Sequence, residues 1–453
     1  MSLLDLAERA LANVTGEAQV TVVRERSLTS RFARSRPTQA TGVTDTTVEV
    51  LCVGRGRTAT ATTNATDADG LRAVALRAQE ALASVTSDGD YPGLPEPAPE
   101  QRDHDGHDAL TARLEPSTPA AALADVFAAA EERGLEAFGV WSSGEVTTAI
   151  ASSTGVRVQE AVTDAYMKVI VRDPEGRSGF AAASSVRAAE IDARGLADRA
   201  AARVSAGEPV ELAPGRYPVV LDADAVGTLL DFLGQVAFNG QAHAEGRGAL
   251  SDRLGTRVSA AAINLADSPQ FSGTLPRAFD AEGVAKAPIP LIEDGVARGV
   301  VHDTRSAARA GGDSRSTGHA LNAGGSSRGP RPTNLILIGG GERDEHELAR
   351  PIERGLYVTR LWYVNVVRER EALLTGMTRD GTFLIEDGRI TRPARDVRFT
   401  DSALRILDAT EALSSSQRLV SEGDFYGRRF ASGVVCPALR ARDFHVTGTK
   451  PAD

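Results

Sequence analysis

The first 207 residues carry one pattern twice, and that duplication constrains the fold more than any single motif does. Glu17-Ala18 recurs as Glu136-Ala137 and Thr44-Asp45 as Thr163-Asp164, both displaced by 119 residues. Gly56-Arg57 recurs as Gly176-Arg177 at an offset of 120, and Gly70-Leu71 as Gly195-Leu196 at 125. A nearly constant offset through alternating elements is the trace of a structural repeat. Each copy opens with an amphipathic helix, and in the first Leu3, Leu4, Ala7, Leu11 and Val14 fall at helical spacing. Alternating apolar residues rich in Val and Ile then predict half-buried strands at 19–24, 47–53 and, in the second copy, 166–171. A closing helix sets Leu71, Val74, Ala78 and Leu82 on one face. Each unit is therefore helix, antiparallel strands, helix, and the two are expected to share one sheet with helices on one side.

Between the copies, residues 87–100 are dense in Pro, Gly and acids and cannot sustain a periodic element. The whole segment 87–118 is expected to be an acidic, Pro-rich surface loop. His104 and His107 sit there among carboxylates. Metal affinity requires preorganised ligands and supporting partners, so this pair reads as part of a hydrated polar loop.

A turn at 213–216 opens the second half, which gives expected domains of 1–210 and 211–453. Residues 217–221 read as its first strand, and Asp222 or Asp224 can cap a helix running to about Phe238 by accepting a hydrogen bond from its free amides. The run 356–365 reads as one long strand. Residues 381–388 form a strand entering an Asp387-Gly388 hairpin turn, and 434–439 and 443–447 are closing strands. Residues 335–341, followed by a polar helix from Glu342 to Arg354, have the strand, glycine turn and helix order that can cradle phosphate, but Glu342, Asp344 and Glu345 would repel it. The predicted fold class is α+β: an N-terminal domain of duplicated helix–antiparallel strands–helix units and a C-terminal, strand-rich antiparallel domain.

Six blocks stand in a recognisable order in this second half: Arg253-Leu-Gly-Thr-Arg-Val258, His302-Asp-Thr-Arg-Ser-Ala-Ala308, Ser316-Thr-Gly-His319, Pro330-Arg-Pro-Thr-Asn334, Glu353-Arg-Gly-Leu-Tyr-Val-Thr-Arg360 and Asp380-Gly-Thr-Phe-Leu-Ile-Glu-Asp-Gly388. Together they resemble the TldD/PmbA peptidase family. Metal-binding members carry a His-Glu-x-x-x-His zinc signature and a third ligand that resembles a Cys near the C-terminus. This chain lacks the signature. The second His slot after His346 is Pro351, and after His243 it is Gly248. Counting back from Arg253 places the signature near 231–236, where no ligand pair exists. Cys436 lies in an apolar run and reads as a buried small hydrophobe.

The resemblance implies a metal-free subunit of the TldE or PmbA kind, with no catalytic and no metal-binding residues of its own. Its implied partner is a zinc-binding TldD-like paralogue that supplies the metal, together forming a heterodimeric peptidase for unstructured peptides. A stand-alone enzyme, or a homodimeric peptide-binding factor reusing the fold in natural-product or peptide maturation, is the alternative. The Gly- and Ser-rich segment 308–329 lies between family blocks, which makes Arg309, Arg315 and His319 candidate contacts to a peptide or partner. Arg360 and Arg379 are further candidates.

The net charge of −10 argues against nucleic acid or an anionic membrane as the main partner, since both call for basic patches. Asp5 and Glu8 interrupt the stretch that a signal peptide needs to be apolar, no run approaches the ~18 apolar residues of a membrane span, and the only cysteines, Cys52 and Cys436, do not form a disulfide framework. A cytoplasmic location is expected.

Overall fold

The computed structural model describes residues 2–85, 91–97, 103–204, 207–326, 328–423 and 427–449. The duplication is visible in it as element order. The first copy runs α1 (Leu3–Leu11), β1 (Glu17–Ala33), β2 (Arg36–Gly54), β3 (Arg57–Thr63) and α2 (Ala68–Ser84). The second runs α3 (Ser117–Glu131), β4 (Glu136–Ser152), β5 (Arg157–Arg172), β6 (Ser178–Ser185) and α4 (Ala193–Ala202). Their strands form one antiparallel sheet in the order β3-β2-β1-β4-β5-β6, joined where β1 pairs with β4. Helices cover one face of it. Leu3, Leu6, Ala7 and Ala10 of α1, with Leu71, Val74 and Ala78 of α2, bury against Val20, Val22, Val48 and Val50. Leu123 and Val126 of α3, with Leu196 and Ala200 of α4, do the same against Trp141, Met167 and Val169. Ser2, Asp67 and Asp192 each accept a backbone amide at a helix start, which satisfies a donor that the helix cannot.

The strands run well beyond the predicted 19–24 and 47–53. Their extensions carry Arg, Ser and Thr and are largely solvated on β2, so no apolar alternation marks them; the ladder from Arg26↔Thr44 to Ala33↔Arg36, and for β1 also the pairing with β4 from Arg26↔Glu145 to Phe32↔Gly139, defines them. The segment 87–118 departs from a free surface loop in its described parts; residues 87–90 and 98–102 lie outside the described residues. Tyr91 and Leu94 are buried against Leu51 and Val53, and Thr163 N donates to Gly106 O at 2.8 Å. The last residues of the segment already belong to α3.

The second half builds a thirteen-stranded sheet. Its elements are β7 (Gly215–Leu221), α5 (Ala223–Val236), α6 (Gly240–Ala244), β8 (Leu265–Asp267), β9 (Ile289–Glu293), β10 (Val296–Ala297), α7 (Thr304–Ala310), β11 (Asn334–Leu337) and α8 (Glu345–Ala349). They continue as β12 (Arg354–Val358), β13 (Leu361–Arg368), β14 (Leu373–Thr378), β15 (Thr382–Glu386), β16 (Arg389–Pro393), β17 (Val397–Ser402), α9 (Ala403–Asp408), β18 (Thr410–Val420) and β19 (Gly433–Thr449). Pairing is antiparallel in the main, with parallel joints at β7–β12 and β11–β19. Asp222 caps α5, whose Val226, Leu229, Leu230 and Leu233 fill the core under this sheet.

Three local expectations change. The run 356–365 is broken into β12 and β13 at Thr359-Arg360, because the Arg360 guanidinium pairs with buried Asp380. The segments 434–439 and 443–447 are one strand, β19, that passes a register shift between Ala441 and Phe444. The helix expected from Glu342 to Arg354 shortens to α8, since Gly340 and Glu342 hydrogen-bond backbone to backbone with Ser414 and Leu413 instead. The Asp387-Gly388 turn forms as expected, with φ of 49° and 75°.

Candidate functional site

Helices occupy one face of the first sheet, and segments from the second half lie on the other. Register decides what that other face presents. Thr21 stands opposite Glu49 on β2, Val23 opposite Thr148 on β4, and Thr148 opposite Glu160 on β5. Because side chains directly opposite one another share a face, Glu49, Glu25, Glu160 and Asp164 all come to the side away from the helices. Arginines from the second half answer them. Arg429 grips Asp164 with two bonds of 2.8 and 2.6 Å and donates to Ser142 at 2.9 Å. Its guanidinium lies over Gly144, where a Cβ would come within 2.5 Å of Nε and push the side chain off its present position. Glu160 Oε2 accepts from Ala278 N at 2.8 Å and lies 3.1 Å from His104 Nε2. His104 is therefore a buried pin between the 103–107 segment and the sheet.

Between this face and the loops 277–286 and 318–333 lies a cavity of about 270 Å³. Thr21, Glu49, Thr148 and Glu160 form its floor on the sheet side. The opposite wall carries Arg277, Asp280, Lys286, His319 and Arg331, with Phe279, Leu321 and Phe430 supplying apolar surface.

Behind that wall is a charge cluster that water does not reach. Asp267, at the end of three-residue β8, accepts the amides of Thr333 and Asn334 at 2.8 and 2.7 Å through Oδ2. Its Oδ1 lies 3.0 Å from His319 Nε2 and 3.6 Å from Lys286 Nζ. Burial pushes the Asp267 carboxyl up, but Lys286, His319 and the Asn334 amide outweigh it and hold it well below the usual carboxylate range. Burial, followed by the nearby Lys286 charge, brings His319 down, so it is neutral at pH 7. Burial also lowers Lys286, against the pull of Asp267.

A second pair of acids sits alongside. Asp280 accepts three backbone amides, from Glu282, Val284 and Ala320, at 2.8 to 3.0 Å. Burial nonetheless raises it to about 6. Glu282 has no solvent exposure; burial, then the neighbouring Asp280 charge, raises it to about 8. It accepts from the Thr304 amide at 2.9 Å and from Tyr91 Oη at 3.4 Å. Tyr91, from the 91–97 segment, thereby ties that segment to the cavity wall.

The candidate contact residues divide. His319 faces the cavity from within the buried cluster. Arg309 and Arg315 are solvent-exposed, and Arg309 pairs with Glu245. Arg360 is buried: its charge is answered by Asp380, and its guanidinium stacks over Phe180 at 4.2 Å and Trp362 at 4.9 Å. Arg379 is half-exposed over the same Trp362 at 5.5 Å. Ser178 also donates to Asp380 at 2.6 Å, so this second cluster fastens the two sheets together. Arg277, Asp280 and Lys286 of the cavity wall, and Asp267 and Glu282 buried behind it, carry no motif in the sequence. One signal was available: Lys168, Lys286 and Lys450 are the only lysines in a chain that otherwise uses Arg.

Among the described residues no group of three or more His, Cys, Asp or Glu could hold a metal ion. Cys436 is fully buried, with Sγ 3.3 Å from Ala223 O, and burial pushes its thiol far up, away from the thiolate that binds metal. Among the described residues no helix is long and apolar enough to cross a membrane.

Residues 214–448 match the PmbA/TldA metallopeptidase C-terminal domain, and residues 113–207 match the central domain of the same family. A metalloprotease of Methanothermobacter thermautotrophicus is 26% identical over 239 residues, covering 52% of this chain and 51% of that protein. A metalloprotease TldD homolog of Haemophilus influenzae is 23% identical over 243 residues, 52% of this chain and 49% of that protein. The chain spans about half the length of the curated relatives it matches. In fold it is similar to TldE from Thermococcus kodakarensis, with a TM-score of 0.86 at 19% identity, over 98% of this chain and 100% of that one. With the C-terminal match alone reaching over more than half of its length, the chain belongs to the PmbA/TldD family.

Proposed function

We propose that this chain is the non-catalytic, metal-free subunit of a heterodimeric peptidase of the TldD/TldE type, acting on unstructured peptides while a zinc-bearing paralogue carries out hydrolysis. The observation that carries this reading is the state of α5. Residues 231–236, where the family's zinc signature is expected, offer no imidazole, and Leu233 and Val236 there are spent in the core. Catalytic zinc needs three protein ligands and an open position for water. The fold likeness to a TldE agrees with this assignment.

The test is co-expression with a paralogue that carries His-Glu-x-x-x-His. We expect the two chains to co-purify, zinc to follow the paralogue, and hydrolysis of an unstructured peptide to require both. Peptide turnover by this chain alone, or about one zinc per chain lost on mutating His243 or Cys436, would overturn the reading.

A further inference from the structure

The cavity against the first sheet is lined by more hydrogen-bond donors than its own acceptors can answer. Its acids are committed: Asp280 to three backbone amides, and Glu160 to Ala278 N and His104. Of its cations, Lys286 is answered by Asp267 and Gly318 O, but two arginines are not. Arg277 is nine-tenths buried with its guanidinium over the Phe430 ring at 4.0 Å, yet its Nε has no hydrogen-bond partner among the described residues, and Nη2 donates only to Ala431 O at 3.3 Å. Arg331 Nε is buried without a partner too, and among the described residues this side chain makes neither a hydrogen bond nor an ion pair. Lys286 lines the same wall, and solvent-exposed Arg428 stands at the rim. Glu49, whose carboxyl burial pushes up, and Glu160, whose charge acts on Arg277 while Ala278 N and His104 share its Oε2, are the lining acids that face them among the described residues. Buried guanidinium donors left unanswered are costly, and the group that fits their planar fork is a carboxylate. Next to these donors, Phe279, Leu321 and Phe430 provide apolar surface for a small side chain. At about 270 Å³ the space falls just below the ~300–1,000 Å³ of sites for drug-sized ligands. It admits the end of a chain rather than a folded segment.

We infer that this cavity is a carboxylate site that holds the free C-terminal end of a peptide, with Arg277 and Arg331 on the carboxylate and the Phe279–Leu321–Phe430 surface on the last side chain. This rests on the reading of the chain as a peptide-handling subunit.

Calorimetric titration of the full-length chain tests it, with three probes: acetyl-alanyl-leucine as the free acid, the same dipeptide as its C-terminal amide, and acetate. The free acid should bind at least tenfold more tightly than the amide and than acetate. Arg331→Ala should weaken the acid at least tenfold with an unchanged melting temperature, since that side chain has no internal bond to lose. Arg277→Met should do the same if it folds. Equal binding of acid and amide, no saturation by the acid up to about 10 mM, or an unaltered affinity in Arg331→Ala would overturn the proposal. Acetate binding as tightly as the dipeptide acid would overturn the peptide-end assignment in favour of free small carboxylates. These titrations use this chain alone, so their failure leaves assembly with a zinc-bearing paralogue standing. Failure of that assembly would leave the acid-to-amide ratio as measured.

Discussion

Replacing Glu282 with Gln should flatten the pH dependence of this protein's stability between pH 6 and 8. Glu282 is fully buried, and burial together with the Asp280 charge lifts its carboxyl from an ordinary 4.5 to about 8. An acid whose pKa is raised in the folded state contributes stability that is complete below its unfolded value and is withdrawn as pH rises through its folded value. At pH 6 the folded chain therefore holds this proton while the unfolded chain has released it. Each pH unit crossed in that condition costs about 1.4 kcal/mol, so wild-type stability should fall by about 2 kcal/mol between pH 6 and 8 from this group alone. Gln keeps the shape and the three contacts: its carbonyl can accept from the Thr304 amide and hydroxyl, and its amide can donate to Tyr91 Oη. It has no proton to lose. Urea unfolding of both proteins at pH 6 and 8 reads the difference directly. The Gln variant should exceed wild type by about 2 kcal/mol at pH 6, where the wild-type fold must already take up a proton, and by about 4 kcal/mol at pH 8. Parallel profiles over that interval would refute the argument, because they would mean Glu282 is already ionised in its buried site.

Three further substitutions probe other parts of the fold. Lys286→Met removes the cation beside Asp267 and leaves a carboxylate sealed from water with two backbone amides and His319; a loss of about 3–5 kcal/mol in chemical denaturation is expected, and a loss under about 1 kcal/mol would mean that Lys286 does not sustain that charge. Gly388→Ala places a Cβ 2.5 Å from Arg350 O at a φ of +75°, whereas Gly176→Ala at +86° meets nothing within 4 Å; the second should cost about 1–2 kcal/mol of backbone strain and the first clearly more, and equal shifts in melting temperature would dispose of the steric part of the argument.

Features that depend on neighbours in the chain are legible from sequence. The repeat is one, since Glu17 and Glu136, already paired by offset, open β1 and β4. The Asp222 cap, the Asp387-Gly388 turn and the helix stripe through Leu71, Val74 and Ala78 are others, because capping, positive φ and a 3.6-residue period are local rules. The break at Thr359-Arg360 is not local. A β-prone run is cut because one arginine pairs with a carboxylate twenty residues on, across a buried contact with Asp380. The full length of β1 and β2 is likewise invisible, as their polar extensions are held by ladder hydrogen bonds that carry no apolar signature.

The cavity is decided almost wholly by tertiary structure. Thr21, Glu49 and Glu160 belong to three strands, and a one-residue slip in any pairing would send one of them to the helix side. Arg277, Lys286, His319 and Arg331 come from irregular segments with no period to read. Nothing in the letters around Asp267 or Glu282 says that they are sealed from water, for that depends on which distant segments close over them. The sequence by itself determines the caps, turns and periodic stripes that seed the helices and strands, and that the first half is built twice. Only the packing of the second half onto the open face of that sheet decides which charges meet, which are answered, and which are left to line the cavity.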